Sequence, residues 1–313
     1  MKNVTQNKKT PSHPLFGEMT QEKASGLAFS AATLLPSLLA VVALLIFGAF
    51  GLLVEGYQTQ DWYLYANFLI PQISFCAIGV LYFCFTKEKV SSVASMPKWR
   101  YFLIALILQA GLFALGDLNT YFLQFLEQFG YQGKPVELPS LVGGGVVGVL
   151  LVVAVMPALF EEMLFRGILL KGLKSFPVWA AALVCGGMFS IFHMNPAQTL
   201  YQFCCGVAFA YVAIRSGSIW PTVLMHLINN GTVIILEACG VSLGTLPLPW
   251  FIASLVCLIG AMVYLIFVDG AKKQSSEQIC KNNKKGRLWF FLCAGVGLLI
   301  SLLTWISVLT GAV

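Results

Sequence analysis

Charge is what this chain has least of. Only 10% of its 313 residues are Asp, Glu, Lys or Arg, against about 25% in soluble globular proteins. With 58% hydrophobic residues, that excludes a soluble domain. It points to an all-α, polytopic membrane helix bundle of about 8–9 transmembrane helices. Acidic residues are scarcer than basic ones, 13 against 19. The basic excess reads as topology and not as affinity for nucleic acid, because basic loops of membrane proteins mark the cytoplasmic side. The polar, basic N-terminus lacks the short apolar core and small-residue cleavage site of a signal peptide. Gly240-Val241-Ser242-Leu243-Gly244 has the Gly-x-Ser-x-Gly spacing but follows an apolar helical span instead of a strand, and no Gly-x-x-x-x-Gly-Lys-Ser/Thr is present. Neither a serine-hydrolase elbow nor a P-loop therefore has its motif in the context it needs. The His-Glu-x-x-His helix is absent too, which weakens a zincin without removing metal from consideration. The nine cysteines fall mostly in apolar stretches without metal-type spacing. They read as small buried thiols with no disulfide framework.

The apolar runs set the organisation. A solvated cytoplasmic tail over 1–25 carries Lys2, Lys8, Lys9 and Lys23. N-terminal transmembrane helices fill 27–130, with spans near 27–54, 63–86 and 101–117 and an aromatic-rich interfacial segment from Tyr121 to Tyr131. Gly133-Lys134-Pro135 reads as a turn. A core follows over 140–240, with a long span from Leu141 toward Lys174, kinked at Pro157. Further spans lie near 177–194, 200–214 and 219–237, and C-terminal spans over 245–313 flank a basic loop at 269–287. Nine spans with the N-terminus inside put every Lys and Arg except Lys134 on or near the cytoplasmic face, which sets that orientation. Gly143-Gly144-Gly145 and Gly186-Gly187 read as places where neighbouring helices pack closely.

Within this apolar chain the stretch Met156–Leu170 places Glu161, Glu162 and Arg166 at membrane depth. Each ionisable group there costs roughly 2.5–3.5 kcal/mol on insertion scales, so it pairs, faces a cavity or does chemistry. Glu162 and Arg166 stand at i and i+4 and can pair on one helix face. Glu161 points about 100° away and is free of that pair. Besides His13 in the tail, the histidines are His193 and His226, both in later spans, and His226 shares a helix face with Asn230 at i+4. Such a set can run hydrolysis. A carboxylate in a low-dielectric site serves as general base, one His holds the water, and a second His with an Asn amide donates to the oxyanion. Alternatively, two His and one Glu are a ligand set for catalytic zinc: His193, His226 and Glu161. On these span boundaries His193 lies roughly 24 Å into its helix and His226 much less, so they converge only if the former span is tilted or begins deeper.

In this order, Glu161-Glu162-x-x-x-Arg166, Phe189-x-x-x-His193 and His226-x-x-x-Asn230 resemble the CAAX protease and bacteriocin-processing (Abi) family, intramembrane proteases related to the type II CAAX prenyl endopeptidase. The resemblance covers 140–240. It implies a helical membrane enzyme whose conical cavity admits a peptide or protein substrate, including lipid-modified or membrane-anchored ones. By carry-over Glu161 activates water, His193 helps to bind it, His226 and Asn230 stabilise the oxyanion, and Glu162 and Arg166 are supporting. The family's mechanism is written either with zinc or with glutamate-activated water and no cofactor. A non-proteolytic immunity or scaffold protein of the same family is the alternative function. Membrane lipids are the other expected partners, and a bacterial cell membrane the expected location.

Overall fold

The computed structural model describes residues 12–13, 17–133, 136–241, 245–270 and 283–312. Most of the expected tail, Lys134-Pro135 of the expected turn and 271–282 of the basic loop lie outside the described residues. Apart from an antiparallel pairing of Ser12–His13 with Gly17–Glu18, the regular elements are helical. They are α1 (Gln21–Ala49), α2 (Asp61–Thr86), α3 (Arg100–Leu112), α4 (Leu115–Glu127), α5 (Gly145–Gly172), α6 (Val178–Phe192), α7 (Thr199–Ser216), α8 (Trp220–Ala238), α9 (Leu248–Val268) and α10 (Lys284–Leu309). A helix satisfies its backbone internally, which is what a chain of apolar runs needs in a bilayer.

Among the described residues seven helical stretches are long and apolar enough to cross a membrane: α1, α2, α3 continued by α4, α5, α7, α9 and α10. The chain is a multi-pass membrane protein. Leu45 and Val256, at 70% and 65% exposure, exemplify the apolar side chains that its helices turn outward. The two helices that fall short are α6, with 15 residues, and α8, which has 19 residues but too many polar ones. His193 follows the end of α6 and His226 lies on α8. The histidines thus sit at the end of the short helix and on the more polar one.

Several expectations need correcting. α1 begins at Gln21, capped by the Thr20 hydroxyl, so 21–25 is helix and not solvated tail. Lys23 is buried, its Nζ 4.6 Å from the Trp289 ring centre. Asp269, read as the start of a basic loop, is fully buried. Its carboxylate accepts from Arg100 Nη2 at 2.7 Å, Arg215 Nη2 at 2.8 Å and Tyr101 Oη at 3.0 Å. One carboxylate thereby ties the end of α9 to the start of α3 and the end of α7. Gly143 and Gly144 have no neighbour where a side chain would stand. The helix α2 instead reaches α5 at Gly148, through Tyr65.

α5 is not a uniform α-helix. It widens to π-helical turns over Leu150–Val155 and again over Met163–Leu169, leaving Met156–Glu162 as a short α-helical piece between them. Such widenings re-aim the side chains beside them and recur at functional sites. Here they flank the Glu161-Glu162 pair, and Pro157, which offers no backbone N–H, stands where the first widened stretch gives way to that α-helical piece. Around α5 an aromatic core locks the helices together. The Phe165 ring stands edge-on to Phe189 at 4.9 Å, Phe192 at 5.3 Å and Phe29 at 6.4 Å. α6 and α7 pack back to back at Gly186 and Gly206, where a Cβ on Gly206 would lie only 2.8 Å from Gly186 Cα.

Candidate active site

Glu162 is the centre of the polar interior. It is wholly buried, and its Oε1 accepts from Arg166 Nη1 at 2.8 Å and from His226 Nδ1 at 2.9 Å. The first contact is the i,i+4 pair that the spacing implies. The second joins α5 to α8 and was not legible in the sequence. Arg166 is also held by the Gly206 carbonyl at 3.3 Å and lies over the faces of Phe189 and Phe209, 4.4 and 5.2 Å away. Aromatic faces and a carbonyl are what a buried guanidinium needs once water is gone. Gly206 can present its carbonyl there because its missing side chain lets α6 and α7 touch.

His193 caps the end of α6, and its Nδ1 donates to the Phe189 carbonyl at 2.7 Å. The turn after it is over-determined. Met194 adopts φ +52°, uncommon for a non-glycine residue. Asn195 caps the next turn through Ala197 N at 2.9 Å and accepts from Tyr131 Oη at 3.2 Å. Asn119 adds a bond to the Ala197 carbonyl at 3.0 Å. Ring centroids put Phe189 4.8 Å from His193 and 6.2 Å from His226. The two histidines thus converge on one phenylalanine despite the unequal depths that span boundaries suggest. Glu161 is half-buried, has no hydrogen-bond partner among the described residues, and lies within electrostatic reach of His193.

The ring nitrogens can be assigned from chemistry. A carbonyl and an ionised carboxylate only accept, so Nδ1 carries the proton in both histidines and Nε2 is left for other partners. Asn230 Nδ2 donates to the Val153 carbonyl at 2.9 Å, and its Oδ1 accepts from Asn229 Nδ2 at 3.1 Å. Asn229 is thus part of the same network, together with Gln109 and Tyr201, which both donate to its Oδ1. The sequence reading missed these three. A single glutamine within the apolar run of α3 was the only signal.

A cavity of about 200 Å3, walled by Leu170, Leu173, Val178 and Ala181 with Lys171 and Lys174 beside them, reaches Arg166. The zinc set of His193, His226 and Glu161 does not form. Among the described residues no three His, Cys, Asp or Glu side chains are grouped as metal ligands.

Residues 143–232 match the family model described as type II CAAX prenyl endopeptidase Rce1-like. That segment, under a third of the chain, is what is similar to the CAAX-protease family. The match begins just before α5 and ends within α8, so it takes in Glu161, Glu162, Arg166, His193, His226 and Asn230 while leaving α1 to α4, α9 and α10 outside. At the level of the family, the CAAX-protease relationship supports an endopeptidase acting within the membrane. No curated protein and no solved structure matches the chain.

Proposed function

We propose that this chain is an intramembrane endopeptidase in which Glu161 activates the attacking water. The observation that carries the reading is the division of labour between adjacent carboxylates. Glu162 is committed to Arg166 and His226, while Glu161 has no hydrogen-bond partner among the described residues and lies within electrostatic reach of His193. In a low-dielectric interior an unpaired carboxylate is a competent base.

The steps follow from the donor and acceptor assignments. His193 Nε2 accepts a hydrogen bond from the water, and Glu161 takes its proton as the oxygen attacks the scissile carbonyl carbon. The carbonyl oxygen becomes an oxyanion. Asn230 Nδ2 has a second N–H beyond the one on Val153, and His226 donates through Nε2–H in its doubly protonated form, the imidazolium, with Nδ1–H kept on Glu162. Glu162 stabilises that imidazolium from the Nδ1 side, as a buried carboxylate does for a catalytic histidine. Collapse of the intermediate breaks the C–N bond, and Glu161 returns its proton to the leaving amine. The substrate in this reading is a peptide or a membrane-associated protein, lipid-modified ones included. We place the N-terminus in the cytoplasm, because Lys87, Lys89, Lys98, Arg100, Lys171, Lys174 and Arg215 all lie at or next to helix ends that this topology puts on one side.

The test compares purified wild type with Glu161→Gln and His226→Ala on a quenched peptide library in detergent, with and without EDTA. Cleavage by wild type, unchanged by EDTA and lost in both variants, is the expected result. Loss with EDTA and return with zinc would replace the metal-free step. A cellular phenotype untouched by Glu161→Gln would leave a scaffold in place of an enzyme.

A further inference from the structure

Asn230 is useful to an oxyanion only if its amide faces the right way, and nothing in the side chain's own shape decides that. Its neighbours do. The Val153 carbonyl can only accept, so the atom of Asn230 that meets it at 2.9 Å is Nδ2. Oδ1 of Asn230 therefore faces Asn229 and needs a donor, which turns Asn229 Nδ2 toward it at 3.1 Å. Asn229 Oδ1 is then on the far side, where Tyr201 Oη donates at 2.7 Å and Gln109 Nε2 at 3.1 Å. The chain ends on Gln109, whose Oε1 is buried and has no partner among the described residues. The alternative amide orientation would set the Asn230 oxygen against the Val153 carbonyl, acceptor on acceptor. The donors come from α3 and α7 and the carbonyl from α5, so three other helices fix one amide on α8.

We propose that Gln109, Tyr201 and Asn229 are positioning residues that lock the Asn230 amide with one N–H on Val153 and the second available to the substrate oxyanion. This rests on the reading above that Asn230 donates to that oxyanion. Three helices supply the relay, so a disturbance far from the scissile bond, at Gln109 on α3, reaches the oxyanion donor.

The test uses the full chain in detergent with a quenched peptide that wild type cleaves. Asn230→Ala sets the scale, with an expected loss of about 10²–10³-fold in kcat, the usual cost of one oxyanion donor. Asn229→Ala and Tyr201→Phe are expected to lower kcat about tenfold with KM unchanged, the size of coupling usual within one hydrogen-bond network. Asn229→Ala combined with Asn230→Ala is expected to be no slower than Asn230→Ala alone, because the relay acts only through that amide. A second measurement does not need turnover. In protein labelled with nitrogen-15 asparagine, the Asn230 side-chain amide signal, assigned by its loss in Asn230→Ala, is expected to shift in Tyr201→Phe and Gln109→Leu. It should stay in place in Tyr121→Phe, an exposed tyrosine. An unmoved signal, or wild-type kcat in Asn229→Ala and Tyr201→Phe while Asn230→Ala is slow, overturns the relay and leaves the hydrolase reading standing. Wild-type kcat in Asn230→Ala overturns the oxyanion role itself, and the relay with it.

Discussion

Replacing Glu162 by Gln keeps the side chain's shape and removes its charge, and the contacts that the carboxylate serves give the cost. Oε1 accepts from Arg166 at 2.8 Å and from His226 at 2.9 Å in a site closed to solvent. A hydrogen bond to a charged group contributes about 1.5–3 kcal/mol and a neutral one about 0.5–1.5, so two weakened bonds remove about 2–3 kcal/mol. The guanidinium is then buried without its counter-charge, and removing one member of a buried pair costs about 3–5 kcal/mol in all. Phe189, Phe209 and the Gly206 carbonyl keep part of its stabilisation, which favours the lower end, about 3 kcal/mol. A tryptophan-fluorescence melt in detergent reads this as a fall in Tm of about 6–12 °C, at the about 2–4 °C per kcal/mol usual for larger domains. Glu162→Gln with Arg166→Met should melt higher than Glu162→Gln alone, since an apolar side chain leaves no orphaned charge. Cleavage should fall on the order of 10²-fold or more, because His226 loses the carboxylate that orients its ring. A single variant that melts with wild type, or a double variant that melts lower still, would refute the account of Glu162 as the carboxylate holding Arg166.

Three other outcomes follow from the same contacts. Glu161→Gln breaks no hydrogen bond, so its stability should stay within about 0.5 kcal/mol of wild type while cleavage is lost, checked by a melt beside a peptide assay. Asp269→Asn leaves Arg100 and Arg215 short of a buried counter-charge and should cost about 3–5 kcal/mol. In that variant the rate per folded molecule should be unchanged, since Asp269 takes no part in the proposed site. Gly206→Ala puts a methyl 2.8 Å from Gly186 Cα, an overpacking cost of about 1–3 kcal/mol that also displaces the carbonyl holding Arg166, read in both melt and kcat.

What could be read in the sequence was whatever one helix or one apolar run contains. The spans near 63–86, 200–214 and 247–268 lie close to α2, α7 and α9, because hydropathy and turn residues are local signals. The Glu162–Arg166 contact was legible for the same reason, as a spacing on one face. What joins different helices was not. No spacing announces that Glu162 also binds His226 on α8, or that Asn229 is tied to Gln109 on α3 and Tyr201 on α7. Asp269 was misread because a charge next to a basic loop resembles solvated chain until its arginine partners, 169 and 54 positions away, are seen. The π-helical turns of α5 left no mark either, since its residues suit an α-helix equally well.

The shortness of α6 and the polarity of α8 also bear on how the protein is made. Insertion into a bilayer is judged segment by segment as the chain emerges, and a helix-central charged or strongly polar residue counts against it. α6, at 15 residues, is too short to span alone, and α8 carries His226, Asn229 and Asn230 in succession. Both must enter in company, α6 folded against α7 at the Gly186–Gly206 contact and α8 against the Glu162 side of α5. The same bonds that assemble the candidate site are then a condition for threading the chain into the membrane. A ribosome-bound intermediate that has not yet released α8 has not assembled the candidate site.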